Sequence, residues 1–219
     1  MKHVSNSKYK ALIVDLDGTL YYQLPVRLCM LYSMLFFCLT RPHRIKEVLL
    51  VRSYRKLYAK GVNHSKRCSG LSKKYNFDIS RVENIIQKWM IDNPLRYIKI
   101  FRDKDLLQIL INLKKQGCKI IIYSDYPVTK KLEALDFTAD AMYSADDVGC
   151  LKPSPDGLLK ICTENELVIS ECLFIGDRYE KDGKCAENTG MEYTILPQRK
   201  RARQRVVTYL ASLFLLSLL

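Results

Sequence analysis

The sequence predicts a doubly wound α/β architecture, a parallel sheet flanked by helices, with an all-helical domain inserted after the first strand. Three observations lead there. Continuous apolar runs alternate with helical patterns. Polar and acidic residues gather where those runs end. Residues 22–98 break the alternation, with no convincing strand pattern and a concentrated positive charge.

The first run, "KALIVD" (10–15), is apolar at consecutive positions, as expected of a strand covered on both faces. Four more follow: "CKIIIYS" (118–124), "DAMYS" (140–144), "CLFIGD" (172–177) and "EYTIL" (192–196). Between them, "DKDLLQILINLKKQG" (103–117) places Asp103 as helix N-cap and Gly117 just past the last turn. "SPDGLLKICTEN" (154–165) sets Ser154 before Pro155 at the first helical position.

Inside the insertion, helical patterns begin near Pro25, near Pro42 and at "SRVENIIQKW" (80–89), where Ser80 and Glu83 have the spacing of a capping box. "GVNHSKRCSGLSKKY" (61–75) reads as a basic loop carrying His64. The expected organisation is a catalytic core of 1–20 and 100–198, a helical basic cap of 21–99, and a basic-apolar C-terminal helix of 199–219.

The formal charge is +13, from 36 Lys and Arg against 23 Asp and Glu. Residues 21–99 hold 16 of the basic and 4 of the acidic residues, so this block carries an excess of 12 while the rest nearly cancels. The eight cysteines are scattered without a C-x-x-C pair, and the first residues lack an apolar segment before a cleavage site. A disulfide scaffold is excluded, and reduced thiols in a cytoplasmic protein are expected.

The chemistry-bearing residues fall at strand ends, where open α/β sheets bind ligands. Asp15 and Asp17 follow the first strand, on the same side of an extended chain; Ser124 ends the second; Lys152 precedes a helix start; Asp177 and Asp182 follow the fourth. Carboxylates gathered at one site repel one another unless a cation compensates, and Mg²⁺ suits an all-oxygen set that shares its sphere with a phosphate. Lys152 and the Ser124 hydroxyl would neutralise and bind the phosphate from its other side.

"DLDGT", the Ser of "IIIYSD", the Lys of "GCLKPSP" and "FIGDRYEKD", in that order, resemble the four motifs of haloacid dehalogenase-type phosphatases with a helical cap and a Rossmann-like core. The resemblance covers about 8–20 and 100–196. It implies that Asp15 is the nucleophile and forms an aspartyl-phosphate, and that Asp17 is general acid and then base. It further implies that Asp15 and Asp177, with the Asp17 backbone carbonyl, hold Mg²⁺, while Asp182 orients the metal's waters or Lys152. Ser124 and Lys152, with Thr19 in the phosphate-binding set, would hold the phosphoryl oxygens; Thr19 would also fix the Asp17 side chain. Gly18 would permit the tight turn. Asp125, where such proteins commonly carry Asn or Gly, departs from the pattern and is expected to point away from the phosphate.

Asp17 favours phosphate over halide chemistry, because a halide leaving group needs no proton. The expected activity is Mg²⁺-dependent phosphomonoester hydrolysis; a phosphomutase or nucleotidase using the same acids, and a non-catalytic phospho-ligand or membrane-binding module, remain the alternatives. The expected substrate is a small-molecule or lipid-linked phosphomonoester. "LPVRLCMLYSMLFFCLT" (24–40) is apolar almost all round, and "RKRARQR" (199–205) leads into the apolar "VVTYLASLFLLSLL" (206–219). The first reads either as a buried helix or as one that docks a face onto a membrane or a hydrophobic ligand; the second reads either as a helix packed on the sheet or as a contact with an anionic membrane surface at the inner face. Nucleic acid is disfavoured as a partner, since no recognised binding motif is present.

Overall fold

The computed structural model describes residues 8–215, with side chains described as far as Ser212. In chain order the elements are β1 (Ala11–Val14), α1 (Gln23–Thr40), α2 (Ile45–Ala59), α3 (His64–Tyr75), α4 (Ile79–Ile86), α5 (Asn93–Ile100), α6 (Lys104–Lys115), β2 (Lys119–Ser124), α7 (Thr129–Ala134), β3 (Ala141–Ser144), α8 (Ala145–Val148), α9 (Asp156–Glu164), β4 (Cys172–Gly176), α10 (Lys184–Thr189), β5 (Glu192–Ile195) and α11 (Lys200–Leu215). They form two compact units, one of residues up to 23 together with 102 onward, the other of 24–101. The inserted unit begins three residues after the expected cap does and ends two residues after it. The reason is local: Tyr21 and Arg102 form an antiparallel bridge, which holds both chain crossings on the core's side. The C-terminal helix belongs to the core unit rather than standing apart.

In the core, all five predicted runs become strands of one parallel sheet in the order β3-β2-β1-β4-β5. In the three central strands, β1, β2 and β4, the continuous apolarity is used on both faces, while the edge strands β3 and β5 stay partly exposed. Ala11, Ile13, Ile121, Tyr123 and Phe174 pack with Leu158 and Ile161 of α9 and Cys185 and Ala186 of α10. α6, which buries Leu106, Leu107, Leu110 and Leu113, packs against β2 and carries α11 on its side. Asp103 caps α6 by accepting from the Leu106 amide at 3.1 Å, and Gly117 ends it with φ +92°. The strand order reverses at β1, so a crevice opens at its carboxyl end. Register fixes what meets there: Val14 pairs with Ile122 on one side and Ile175 on the other.

The inserted unit is helical throughout its described elements. α1 buries Val26, Met30 and Phe37 on one face, with Phe37 edge-on to Trp89 at 5.1 Å. Two expectations are corrected here. Residues 64–75, read as a loop, form α3: the Asn63 side chain accepts from the Lys66 amide at 2.9 Å, Cys68 and Leu71 supply a buried face, and Asn76 ends the helix in the left-handed region. The cap of α4 is Asp78, accepting from the Arg81 amide at 2.7 Å, not Ser80, so the helix begins earlier than the Ser80–Glu83 spacing suggests. His64 contacts the Tyr54 hydroxyl through Nδ1 at 2.8 Å. All eight cysteines are free thiols.

Candidate active site

Register brings the carboxyl ends of β1, β2 and β4 together, and the seven candidate side chains sit on the last residue of β2, on the loops after β1 and β4 and on the segment before α9. Asp15, Asp17, Thr19, Ser124, Lys152, Asp177 and Asp182 are all buried. Seven polar side chains out of water need mutual partners, and their contacts divide them into two groups.

The first group centres on Lys152. Its Nζ reaches Asp15 Oδ1 at 2.5 Å and Asp182 Oδ1 at 2.7 Å, with no solvent exposure of its own side chain. Asp182 Oδ2 accepts from the backbone amides of Asp177 and Arg178 at 3.2 and 3.0 Å, so this carboxylate shapes the loop as well as pairing the lysine. The Thr19 hydroxyl donates to Asp15 Oδ2 at 3.0 Å, which differs from the expectation that Thr19 fixes Asp17. A threonine four residues after Asp15 returns over the turn onto it. That turn needs Gly18, whose φ is +103° and where a Cβ would lie 2.2 Å from Asp177 Oδ2.

The second group centres on Asp17. Lys131 Nζ lies 2.6 Å from both of its carboxylate oxygens, the Ser124 hydroxyl donates to Oδ2 at 3.2 Å, and the Tyr21 hydroxyl donates to Oδ1. Lys131 and Tyr21 were not among the expected residues. Lys131 is one of two adjacent lysines at the start of α7, indistinguishable by sequence from a solvated pair; Tyr21 differs from its neighbour Tyr22 only in where the turn aims it.

Electrostatics follow the same division. Burial pushes the Asp15 carboxyl up to about 7, with Asp182 and Asp177 adding to the rise and Lys152 opposing it. Burial likewise raises Asp177. For Lys152 burial favours the neutral amine, but Asp15 and Asp182 outweigh it and hold the ammonium well above its usual range. For Asp17 burial acts upward, yet Lys131, Tyr21 and Ser124 together hold the carboxyl below its ordinary value.

Carboxylate oxygens of Asp15, Asp177 and Asp182 lie within 4.8 Å of one another, a spacing that could hold a metal ion. Asp177 Oδ1 is buried and accepts no hydrogen bond, while Oδ2 accepts from Gln198 Nε2 at 2.8 Å. That Oδ1 has only the Arg178 guanidinium nearby, its Nε at 3.5 Å; with a second carboxyl raised toward neutrality and a third alongside, the three make an all-oxygen donor set that a hard divalent cation fits. The Asp17 carboxylate is engaged by Lys131 instead. Asp125 is buried; its Oδ1 accepts from the Lys152 amide at 3.1 Å and its Oδ2 pairs with Lys181, so its charge is compensated where it stands.

Arg203 of α11 is fully buried, and it was not among the expected site residues. Its Nε donates to Asp103 Oδ2 at 2.5 Å, Nη1 to the Gly18 carbonyl at 2.8 Å and Nη2 to the Thr19 carbonyl. With Val207 and Leu210 it forms a buried face of α11.

Residues 9–190 match a family model described as haloacid dehalogenase-like hydrolase. Solved structures share the fold at low identity. A 2-haloacid dehalogenase from Pseudomonas syringae has a TM-score of 0.64 at 15% identity over 86% of each chain. A hydrolase of the same superfamily from Geobacter sulfurreducens scores 0.60 at 16% identity, over 93% of this chain and 97% of that one. A phosphatase of the superfamily from Thermococcus onnurineus scores 0.54 at 20% identity, over 85% and 86%. No curated protein matches the sequence.

Proposed function

We propose that this chain, which belongs to the haloacid dehalogenase-like hydrolase family, is a Mg²⁺-dependent phosphomonoester hydrolase working through an aspartyl-phosphate. The observation that carries the reading is Asp17: a second buried acid two residues from Asp15, bonded to Ser124 within the same crevice. Displacing an alkoxide needs a proton, and displacing a halide does not.

Asp15 attacks phosphorus, an O–P bond forms, and the P–O bond to the leaving group breaks. Lys152 and Thr19 hold the Asp15 carboxylate, leaving it a single orientation. Asp17 delivers its proton to the departing oxygen and afterwards takes one from the water that cleaves the acyl-phosphate. In the resting site Lys131 keeps Asp17 ionised. Phosphate oxygens entering the crevice compete for the Lys131 ammonium, and as Lys131 turns to them Asp17 loses its counter-charge and takes up the proton it needs. Asp15, Asp177 and Asp182 would hold Mg²⁺, which supplies charge stabilisation for the phosphoryl oxygens when bound.

The test is a release screen over sugar phosphates, nucleotides, lipid phosphates and 2-haloacids, with Mg²⁺ and with EDTA. The expected result is phosphate release that needs Mg²⁺ and is abolished in Asp15→Asn. Halide release without metal would overturn the reading in favour of a dehalogenase. Phosphate transferred between positions of a sugar, with none released, would replace hydrolase by mutase.

A further inference from the structure

One face of α1 has no partner among the described residues. Leu24, Leu28, Leu31, Tyr32, Leu35, Phe36 and Leu39 are each 54–81% exposed, opposite the buried Val26, Met30 and Phe37. At 100° per residue these seven fill an arc of about 140° along about 22 Å of helix. No charged residue falls inside that arc; Arg27 stands at its border. Scattered apolar side chains on a surface are ordinary, but a continuous stripe of this kind marks a contact.

The surroundings of the stripe identify the partner. The unit that carries it, 24–101, has 16 Lys and Arg against 4 Asp and Glu. Arg27, exposed, borders the stripe, and Arg96 reaches Ser33 on its flank at 3.4 Å; Arg41, Arg44 and Lys88 gather around the Phe37 ring at 5.2–5.6 Å on the opposite face, Arg44 paired there with Glu47, and add only to the unit's overall charge. A second copy of the chain would bring the same positive charge against itself. A soluble protein partner would meet a stripe offering only the Tyr32 hydroxyl for hydrogen bonding, where protein interfaces carry about one hydrogen bond per 100–200 Å². Anionic lipid answers both requirements, acyl chains for the leucines and headgroups for the cations.

We infer that α1 docks the protein flat on an anionic membrane surface. α1 is long and apolar enough to cross a membrane. It does not cross one in this arrangement, because Val26, Met30 and Phe37 are spent on its own unit and Arg27 lies within its length. The exposed arc enters the interface while the opposite face holds the unit together, an in-plane geometry.

The experiment is flotation of the full chain with phosphatidylcholine vesicles and with vesicles containing 30% phosphatidylserine, at about 0.1 and 0.5 M salt; it reads binding alone and so does not rest on the proposed activity. Both substituted positions of Leu31→Glu/Leu35→Glu are exposed, so its fold, checked by circular dichroism, is expected to be kept. The expected result is flotation with the anionic vesicles only, weakened at least tenfold by high salt and by the double substitution. No flotation of the wild type overturns the inference, as does equal flotation of the variant. Concentration-dependent dimers abolished by the same variant, without flotation, would assign the stripe to a second copy instead. Flotation lost only when the leucines of 213–219 are replaced by serine would assign the contact to the chain's end, again overturning it.

Discussion

Arg203 Nη1 donates to the backbone carbonyl of Gly18 at 2.8 Å, tying the last described helix to the turn that follows Asp15. The same guanidinium holds the Thr19 carbonyl and the N-cap Asp103. Removing it strands a buried carboxylate and two carbonyls. Breaking a buried pair from one side costs about 3–5 kcal/mol, so Arg203→Ala is expected to lower urea-melting stability by that order. Arg203→Lys keeps the charge but cannot reach three acceptors in a fork, and is expected to fold with a reduced kcat. Full kcat in a folded Arg203→Lys protein would show that the turn does not depend on the guanidinium.

Lys131 sets the charge of Asp17, and the pH profile can read this. Asp17 must hold a proton to protonate a leaving group, and its protonated fraction falls as pH rises through its pKa. The opposite charge of Lys131 holds the Asp17 carboxyl down. Lys131→Met removes it, so the Asp17 pKa rises and the alkaline limb of kcat/KM, which reports the free enzyme, moves to higher pH. The same variant is expected to raise KM, since the proposed mechanism turns this ammonium toward the incoming phosphate. A limb that stays in place, or moves down, contradicts this role.

The sheet was legible in the sequence because parallel strands buried on both faces leave uninterrupted apolar runs, and all five runs became strands. Strand ends pointed to Asp15, Asp17, Ser124, Lys152, Asp177 and Asp182 for the same reason. The partners were less legible. Which of Lys130 and Lys131 meets Asp17, and which basic residue of 199–205 is buried, depend on tertiary placement. A signal did exist for the latter: Arg203, Val207 and Leu210 recur at helical spacing, so the arginine shares the apolar face. The α3 helix was hidden by its basic, serine-rich composition, although Asn63 is a strong N-cap residue. Asn63→Ala is expected to cost about 1 kcal/mol, seen as a small shift in the unfolding midpoint without a change in the core's chemistry.

Gly18 is constrained twice, by φ +103° and by the approach of Asp177 Oδ2 to 2.2 Å from where a Cβ would stand. The left-handed conformation alone costs an alanine about 1–2 kcal/mol, and the contact forces Asp177 out of its position. Gly18→Ala is expected to lose nearly all turnover while unfolding at a modestly lower urea concentration. Activity close to wild type would mean that the loop after β4 adjusts freely.

Asp177 links the acid cluster to stability. A cation that binds the folded chain and not the unfolded one stabilises by mass action, about 2.7 kcal/mol at a concentration 100 times its dissociation constant. Mg²⁺ in the millimolar range is therefore expected to raise the thermal midpoint of the wild type, and EDTA to reverse the rise. Asp177→Asn keeps the shape of the side chain but gives up its ion pair with Arg178 at 3.5 Å, so the metal-free midpoint is expected to move modestly, and the readout is the rise that Mg²⁺ adds to it. What it removes is the charge that would meet the cation, so the Mg²⁺-dependent rise should be lost. A rise of equal size in Asp177→Asn would remove Asp177 from the metal set and leave Asp15 and Asp182 to account for it.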